Sequence, residues 1–212
     1  MKVLVADDHA FARRGLKLFV AETPGVTAVG EAATGLETLK RLRHEGPWGV
    51  LVLDINMPDR SGLDILKHVL SGSPGTRVLV LSGFPEEHYA LKMLRAGAHG
   101  YVPKNSTADE IRGALQTVMS GRRHISPELA ERLVEELQAG DAVPPPPHKA
   151  FSEREFQVFC KVAMGRPIPY IARELCMSNK SVSTYRSRIL RKLSLQTSAD
   201  LMSYAMKHGL VQ

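Results

Sequence analysis

The sequence predicts an α/β doubly wound domain with a five-stranded parallel sheet, followed by a smaller, all-α helix-turn-helix domain. Short apolar runs alternate with segments of helical length before residue 121, as repeated βα units require. After residue 150 only helical patterns remain. Between the two regions stands the run Pro144-Pro145-Pro146-Pro147, which cannot form helix interior or central strand.

Five apolar runs are the predicted strands, and the predicted helices lie between and after them. Three of the runs are continuous in Val, Leu and Ala, which is typical of strands buried on both faces of a parallel sheet. Thr107 and Glu110 have the spacing of a capping box and indicate the start of the fifth helix. The strands are predicted at 3–6, 26–29, 50–53, 78–81 and 99–102, and the helices at about 8–23, 34–46, 61–71, 85–96 and 106–120.

A linker joins the two predicted domains. Ser126 followed by Pro127 predicts a further helix that ends near residue 138, because Ser is a good N-cap and Pro is favoured at the first helical position. The four prolines that follow predict a stiff, extended spacer. We therefore place the first domain at 1–121, the linker helix and proline-rich linker at 122–150, and the helical domain at 151–212.

Helix signals fill the second domain. Ser152 and Glu155 have the spacing of a second capping box, and Phe151 and Phe156 that of a hydrophobic staple. Further helices are predicted at 168–175, 179–192 and 198–208, and three residues, 176–178, separate the first two of these. A turn of this length between two short helices is typical of a helix-turn-helix motif.

Charge and composition narrow the classes of function. Residues 151–212 hold 10 Lys and Arg against 4 Asp and Glu, whereas residues 1–150 are neutral, so the net charge of +6 lies in the helical domain. A basic module beside a neutral one favours binding to a polyanion such as nucleic acid. No membrane-helix or signal-peptide pattern is present, so we expect a cytoplasmic protein. Cys160 and Cys176 match no metal or redox spacing, and we interpret both as small core residues.

Polar residues stand at the carboxyl ends of four predicted strands, where doubly wound sheets bind their ligands. Asp7 and Asp8 follow the first strand and Asp54 follows the third. Ser82 and Lys104 stand after the fourth and fifth. Clustered carboxylates repel one another unless a cation neutralises them, and oxygen ligands suit Mg²⁺. We expect Asp7 and Asp8 to bind Mg²⁺ together with Asp54, the nucleophile in phosphoryl transfer, while Lys104 and Ser82 hold phosphoryl oxygens.

The helix predicted at 179–192 has two different faces. Val182, Tyr185, Ile189 and Leu193 share one face, which we predict to be the core side. The other face carries hydroxyls and cations with no large apolar residue, a composition that suits the major groove of DNA. The residues predicted to contact DNA are Lys180, Ser183, Thr184, Ser187, Arg188 and Arg191.

Four segments of the first domain match a known family. They are VLVADDH, LVLDINMPDRSGLD, VLVLSG and AGAHGYVPK. Together they resemble the receiver domain of two-component response regulators, which has a flavodoxin-like fold. The resemblance implies that a sensor histidine kinase or a small phosphodonor phosphorylates Asp54 and that the backbone carbonyl of Asn56 is a further Mg²⁺ ligand. It also implies a switch in which Ser82 moves toward the phosphoryl group and Tyr101 rotates inward. Pro103 departs from the commonest residues at its position and removes a backbone donor.

The second domain carries a resemblance of its own. FSEREFQVF, followed by IARELCMSNKSVSTYRSRILRKL, resembles the LuxR-type helix-turn-helix of the NarL/FixJ response-regulator family, and SNKSVSTYRSRILRKL is most similar to the subgroup of the EvgA and BvgA regulators. The resemblance implies that 179–192 is the recognition helix and that 198–208 packs beneath it and can form a dimer contact. It implies a homodimer on promoter DNA when phosphorylated. Pro167 and Pro169 depart from the family pattern but fit a first helical turn, and Ser183 stands where many relatives carry Lys.

Three other functions remain open from the sequence. The first domain could be a phosphatase that uses Asp54 as its nucleophile, although no further acid or base signature accompanies it. The chain could bind DNA without using phosphate, although the set Asp7, Asp8, Asp54, Ser82 and Lys104 is intact. It could also act mainly as a protein-interaction adaptor. The best supported expectation is a phosphorylation-controlled regulator of transcription, and not an enzyme.

Overall fold

The computed structural model describes residues 1–57, 59–83, 86–139 and 146–211 of the 212-residue chain. They belong to two compact units, Met1–Gly140 and Asp141–Gln212, of which the first is α/β and the second is helical. Among the described residues, no helix is long and apolar enough to cross a membrane. The predicted fold class is therefore confirmed, whereas the domain boundaries at 121 and 150 stay predictions.

The first unit is a doubly wound sheet of five parallel strands in the order β2-β1-β3-β4-β5. A helix follows each strand along the chain, and a sixth helix follows the last βα unit. The strands are β1 Lys2–Ala6, β2 Ala28–Ala32, β3 Val50–Asp54, β4 Arg77–Ser82 and β5 Gly100–Pro103. The helices are α1 Ala10–Ala21, α2 Gly35–His44, α3 Gly62–Gly72, α4 Glu86–Arg95, α5 Ala108–Met119 and α6 Pro127–Ala139.

Helices cover both faces of the sheet. On one face Val5 of β1 packs in an apolar cluster with Val20 of α1 and Leu115 of α5. Side chains alternate between the two faces of a strand, so Leu4 and Leu51 point to the other face, where they are also completely buried. Each such burial stabilises the fold by about 1.5–3 kcal/mol. Burial on both faces is the reason that these strands read as continuous apolar runs.

The second strand begins two residues later than predicted and ends three residues later. The apolar run begins at Val26, but pairing with β1 begins at Ala28, which stands beside Lys2. As an edge strand, β2 tolerates a charged residue, and Glu31 forms an ion pair with Lys17 of α1 (Nζ to Oε1, 2.6 Å). The limits of β2 therefore follow from its backbone hydrogen bonds to β1 and not from the local apolar run.

Helix caps follow the sequence signals closely. Thr107 and Glu110 form the predicted capping box at the start of α5, since the side chain of each accepts a hydrogen bond from the backbone N–H of the other. Ser126 accepts from the N–H of Leu129 (3.1 Å) and caps α6, with Pro127 as its first residue. These local predictions are confirmed because a cap depends only on residues within one turn.

The second unit is a bundle of four α-helices preceded by a short 3₁₀ helix, Pro147–Ala150. Helix α7 packs against the other three helices of the unit. Phe151 and Phe156, the predicted staple, both pack on Phe159, with ring centroids 5.6 Å and 5.8 Å from its own. The α-helices are α7 Glu153–Ala163, α8 Ile168–Glu174, α9 Asn179–Leu193 and α10 Ser198–Lys207.

The start of α7 joins two of these helices through a buried charge. Ser152 and Glu155 form the predicted capping box, and the Glu155 oxygen that accepts from the Ser152 N–H, Oε2, also accepts from Lys192 Nζ of α9 at 2.7 Å. Burial alone would raise the pKa of Glu155, but the bonds from Lys192 and from the Ser152 N–H outweigh it and hold that pKa below its ordinary value. The cap is therefore also a tertiary contact between α7 and α9.

The proline-rich spacer is shorter than predicted at its C-terminal end. Pro144 and Pro145 lie outside the described residues, and Pro146 has the extended backbone of a polyproline segment (φ −50°, ψ 140°). Pro147 instead begins the 3₁₀ helix, because His148 is buried with its Nδ1 2.8 Å from the hydroxyl oxygen of Tyr204 in α10. This long-range contact has no signature in the local sequence.

One of the two cysteines is not a core residue. Cys160 is buried in α7, as predicted, and burial raises the pKa of its thiol to about 12. Cys176 is exposed, and its backbone lies in the left-handed region (φ 51°). The prediction of a core position was wrong because Cys176 stands in the turn after α8, where the backbone turns its side chain to solvent.

We expect alkylation to distinguish these thiols, because the thiolate is the reactive form. Iodoacetamide at pH 8 should modify the native chain once, at Cys176, and should modify both cysteines in denaturant. Peptide mass spectrometry measures this, and Cys176→Ser is the matched variant that should stay unmodified when native. Modification of native Cys160 at a comparable rate would contradict its burial.

Replacing Glu155 by Gln should lower the free energy of unfolding of the helical unit by about 1–2 kcal/mol at pH 7, since Gln can keep the cap but not the charged bond to Lys192. The folded-state pKa of Glu155 is lowered, so its contribution is complete above the unfolded value of about 4.3 and is lost as pH falls through the folded value. Wild type and E155Q should therefore converge in acid.

Urea denaturation followed by far-UV circular dichroism measures that difference. Trp48, the single tryptophan, lies in the α/β unit, so its fluorescence transition should not move in E155Q and serves as the internal control. Equal transitions at pH 7 would show that the Lys192 bond contributes nothing.

Candidate functional site

Four strands end at one edge of the sheet, where a lysine, a serine and two buried carboxylates come together. Asp7 directly follows β1, Asp54 is the last residue of β3, and Lys104 directly follows β5. Lys104 Nζ lies 2.7 Å from Asp7 Oδ2 and 2.7 Å from Asp54 Oδ2, and both carboxylate side chains are only 1% exposed. Ser82, the last residue of β4, is completely buried at the same edge of the sheet. The predicted convergence of these groups is therefore present.

Pro103 does not displace Lys104. The register between β4 and β5 continues through Ser82 and Pro103, and the next backbone N–H, that of Lys104, donates to the Ser82 carbonyl at 2.7 Å. This bond fixes the backbone from which the Lys104 side chain reaches the two carboxylates. The departure at Pro103 therefore removes a backbone donor without displacing the backbone of Lys104.

Opposing effects act on the pKa values of Asp54 and Lys104. Burial is the largest effect on Asp54 and raises its pKa above the ordinary value, against the attraction of Lys104 and the hydrogen bond from the Asn56 N–H. Burial also disfavours the ammonium form of Lys104, but Asp54 and Asp7 outweigh it and raise the pKa of Lys104. The geometry favours a charged pair, because at 2.7 Å the Lys104 ammonium and the Asp54 carboxylate are direct hydrogen-bond partners.

Asp8 and His9 form the open side of the pocket. Asp8 is 25% exposed, and its Oδ1 atom is buried without an acceptable hydrogen bond among the described residues. His9 Nδ1 lies 2.7 Å from that oxygen, close enough for an ion pair. The contact does not have the geometry of a hydrogen bond. One ligand atom from each of Asp7, Asp8, His9 and Asp54 lies within 4.8 Å of the others. Sequence reasoning missed His9, although it directly follows the two aspartates.

The loop after Asp54 is held at three points. The N–H of Asn56 donates to Asp54 Oδ1 at 3.0 Å, so the residue predicted to offer its carbonyl stands beside the nucleophile. Asp59 accepts from the first two N–H groups of α2, both at 2.7 Å. A Cβ on Gly62 would lie 2.7 Å from the Ile55 Cα, so glycine permits the close approach of this loop to β3. The role of Asp59 was not predicted, because its partner helix lies more than 20 residues earlier in the chain.

The residues of the predicted switch are both internal. Ser82 is 0% exposed and Tyr101 of β5 is 1% exposed, which makes Tyr101 one of the largest fully buried side chains. Tyr101 is therefore not a surface aromatic residue in this structure. Tyr101 stands beside Val80 in the β4–β5 register, two residues before Ser82.

The second unit contains the predicted helix-turn-helix. Helix α8 ends at Glu174 and α9 begins at Asn179, with Ser178 as N-cap through a hydrogen bond from the Ser181 N–H (3.0 Å). Cys176, in the left-handed region, reverses the chain between the two helices. Pro167 is the N-cap of α8 and Pro169 lies in its first turn, as predicted for these departures from the family.

Helix α9 presents the predicted polar face to solvent. Val182, Ile189 and Leu193 are buried, and Tyr185 is half-buried at the margin. The Thr184 hydroxyl donates to the Lys180 carbonyl at 2.9 Å, so its oxygen is left as an acceptor toward solvent. All six predicted DNA-contacting side chains are exposed, namely Lys180, Ser183, Thr184, Ser187, Arg188 and Arg191.

Helix α10 packs differently from the prediction. Its main partner is α7, on which α9 also packs, and it meets α9 near the Arg186 Nε–Ser198 Oγ hydrogen bond of 2.8 Å. It therefore supports the recognition helix largely through α7 rather than by lying directly beneath it. The hydrophobic pattern predicted the helix but could not show which neighbour it covers.

Two protein families match the chain at the positions of the two units. Residues 3–116 match the response regulator receiver domain, and residues 149–205 match the bacterial regulatory proteins of the luxR family. The chain belongs to the response-regulator family. This response regulator combines a receiver domain with a LuxR-type DNA-binding domain, which confirms the two family assignments made from the sequence motifs.

Relatives that align with the chain over nearly their whole length support this assignment. The chain is 34% identical over 211 residues to response regulator GacA of Pseudomonas protegens, covering 100% of this chain and 98% of the relative. It is 33% identical over 218 residues to the oxygen regulatory protein NreC of Staphylococcus epidermidis, covering 100% of both. Both names describe regulators, so the alternative of a phosphatase gains no support from them.

Solved structures resemble the chain over nearly its full length. Response regulator ChrA of a heme-sensing two-component system has a TM-score of 0.51 at 27% identity, covering 99% of this chain and 98% of its own. RcsB of Salmonella enterica serovar Typhimurium, bound to promoter rprA in the presence of the phosphomimetic BeF₃⁻, has a TM-score of 0.62 at 25% identity, covering 96% and 97%. The closer likeness to the EvgA and BvgA subgroup stays a prediction.

Proposed function

We propose that this response regulator accepts a phosphoryl group on Asp54 from a sensor histidine kinase, and that phosphorylation controls its dimerisation and its binding to promoter DNA. The observation that carries the proposal is the pocket in which Lys104 Nζ lies 2.7 Å from both Asp7 and Asp54. An ammonium between two acids is placed to neutralise an added phosphoryl group. The receiver and LuxR-type families of the two units support the same function.

The oxygen donors in the pocket suit Mg²⁺. Asp7, Asp8 and Asp54 supply the hard carboxylate ligands that this ion prefers, and the buried Asp8 Oδ1, which accepts no hydrogen bond from the described residues, is an acceptor that a cation would satisfy. We assign these three aspartates and the backbone carbonyl of Asn56 to the metal site. Bound there, the cation would neutralise charge on the transferring phosphoryl oxygens.

The protein's own groups complete the transfer. An oxygen of Asp54 forms the new bond to phosphorus as the bond between phosphorus and the donor atom breaks. Lys104 exchanges its bond to Asp54 for one to a phosphoryl oxygen, and its fixed backbone keeps it within reach. Ser82 donates its hydroxyl to a second phosphoryl oxygen. The product carries about 1.5–2 negative charges and three strong acceptors.

The buried position of Tyr101 refines the switch. It already lies inward in the described conformation, so phosphorylation need not create that orientation. We propose that Ser82, once bonded to the phosphoryl group, leaves room that stabilises the inward Tyr101 over an outward alternative. A ligand that favours one of two existing conformations shifts their populations in this way.

We propose that helix α9 is the recognition helix that contacts DNA. Its exposed hydroxyls and cations offer donors and acceptors to base edges and phosphates, and the net charge of this domain favours a polyanion. RcsB bound to promoter DNA is a relative of the same two-part architecture and supports this assignment. A homodimer would place two such helices on half-sites about one helical turn apart.

Asp54→Asn should abolish phosphorylation by acetyl phosphate or by the cognate kinase, because the amide cannot accept the phosphoryl group. Phosphate-affinity electrophoresis measures the modified fraction. Asp64→Asn is the matched control, since Asp64 is exposed in the first turn of α3 and should leave labelling unchanged. Labelled D54N would overturn the assignment. Labelled wild type with unchanged DNA affinity and oligomeric state would instead favour a phosphorylation-independent regulator.

Arg188→Ala should weaken binding to a promoter fragment by about 1–3 kcal/mol if Arg188 reads a guanine, and should relax the preference at one base position. Lys207→Ala, which removes one exposed cation from α10, is the control and should change affinity much less. Fluorescence anisotropy at two salt concentrations measures both. The fragment would come from immunoprecipitated DNA of cells that express the native chain. Equal losses in the two variants would indicate a general charge effect rather than a recognition helix.

A further inference from the structure

We propose that His9 is a metal ligand in this chain and makes its phosphorylation pocket bind imidazole-preferring transition metals, such as Co²⁺, Ni²⁺ or Zn²⁺, more tightly than Mg²⁺. The inference rests on the proposed metal site at Asp7, Asp8 and Asp54. It adds a nitrogen donor to a site that would otherwise offer only oxygen. Carboxylate and carbonyl ligands suit Mg²⁺, whereas imidazole suits later transition metals.

The hydrogen bonds within the pocket leave one buried carboxylate oxygen of the described residues without a hydrogen bond. Asp7 Oδ2 and Asp54 Oδ2 accept from Lys104, and Asp7 Oδ1 accepts from the His9 backbone N–H at 2.8 Å. Asp54 Oδ1 accepts from the Asn56 N–H. Asp8 Oδ1 is the buried oxygen without a hydrogen bond, and it is the one that faces His9 Nδ1. The donor pair that is ready for a cation is therefore an oxygen and an imidazole nitrogen.

The spacing of these donors suits a single metal ion. His9 Nδ1 lies 2.7 Å from Asp8 Oδ1 and 3.5 Å from Asp7 Oδ1. Two ligands that each lie about 2.1 Å from a metal are about 3 Å apart when they meet at a right angle, and farther apart at a tetrahedral angle. The two measured separations bracket that value. The same four residues are the one group of three or more candidate ligands found among the described part of the chain.

The His9 side chain is not used by the helix that it precedes. His9 is the N-cap of α1, but its side chain makes no capping hydrogen bond, and it is 66% exposed at the mouth of the pocket. Its backbone is held by the bond to Asp7, so the ring is presented toward the carboxylates without being committed to the helix. Asn is a good N-cap, so His9→Asn should fold, and His9→Ala removes every donor atom of the side chain.

Isothermal titration of the full chain at one fixed pH tests the proposal with Co²⁺ and with Mg²⁺, and the absorption of bound Co²⁺ reports its ligands. Wild type should bind Co²⁺ more tightly than Mg²⁺. His9→Ala and His9→Asn should lose about tenfold or more in Co²⁺ affinity, with an altered Co²⁺ spectrum and little change for Mg²⁺. His44→Asn, which removes an exposed histidine of α2, is the matched control and should behave as wild type.

Other outcomes separate this inference from the proposed function. Unchanged Co²⁺ affinity in both His9 variants would overturn it. Tighter binding of both ions in the variants would also overturn it, because His9 would then act as a counter-cation to Asp8. Wild type that binds neither ion would instead contradict the proposed metal site itself. Circular dichroism and Trp48 fluorescence verify that each variant is folded.

Discussion

Lys104 holds its ammonium 2.7 Å from each of two carboxylates that are themselves almost wholly buried. Two acids so close together in the interior would repel each other and lose hydration, and the lysine offsets both costs. The contact joins residues that are 97 and 50 positions apart in the chain, so it forms only when β1, β3 and β5 are assembled. The pocket is therefore a product of the parallel sheet, and its charge balance is the property that phosphorylation would change.

The order of the strands explains how a charged group is tolerated there. Because all five strands are parallel, their carboxyl ends share one edge, and the βα loops bring their polar residues to it. The loop after β3 is tied to the start of α2 by Asp59 and lies close to β3 at Gly62, so the surroundings of Asp54 are held from both sides. On the far side of the pocket the bond between Lys104 N–H and Ser82 carbonyl serves the same purpose. Within such a frame, the switch proposed for Ser82 and Tyr101 would need only small side-chain movements.

The helical unit separates its core from its polar surface by helix periodicity. Helix α7 is the centre of the unit: Phe159 packs against neighbouring aromatic rings, Glu155 forms the partly buried bond to Lys192, and α9 and α10 both pack on this helix. On the exposed face of α9, the Thr184 hydroxyl donates to the carbonyl of Lys180 in the same helix, and the Arg188 guanidinium lies 5.9 Å from the centroid of the Tyr185 ring. Cations on such a face contribute little to stability and are available to a polyanion.

The sequence by itself determined the fold class, the order of the domains, the helix caps and the strand ends that meet in the pocket. Apolar periodicity, capping residues and strand-end position are local properties, and they sufficed for Thr107, Ser152 and Asp54. Tertiary structure decided the limits of β2, the exposure of Cys176, the burial of His148 and Tyr101, the packing of α10 on α7, and the approach of His9 to Asp8. Each of these depends on which distant segment or solvent a residue meets, or on where a side chain points once the pocket has assembled. Local pattern carries no information about that choice.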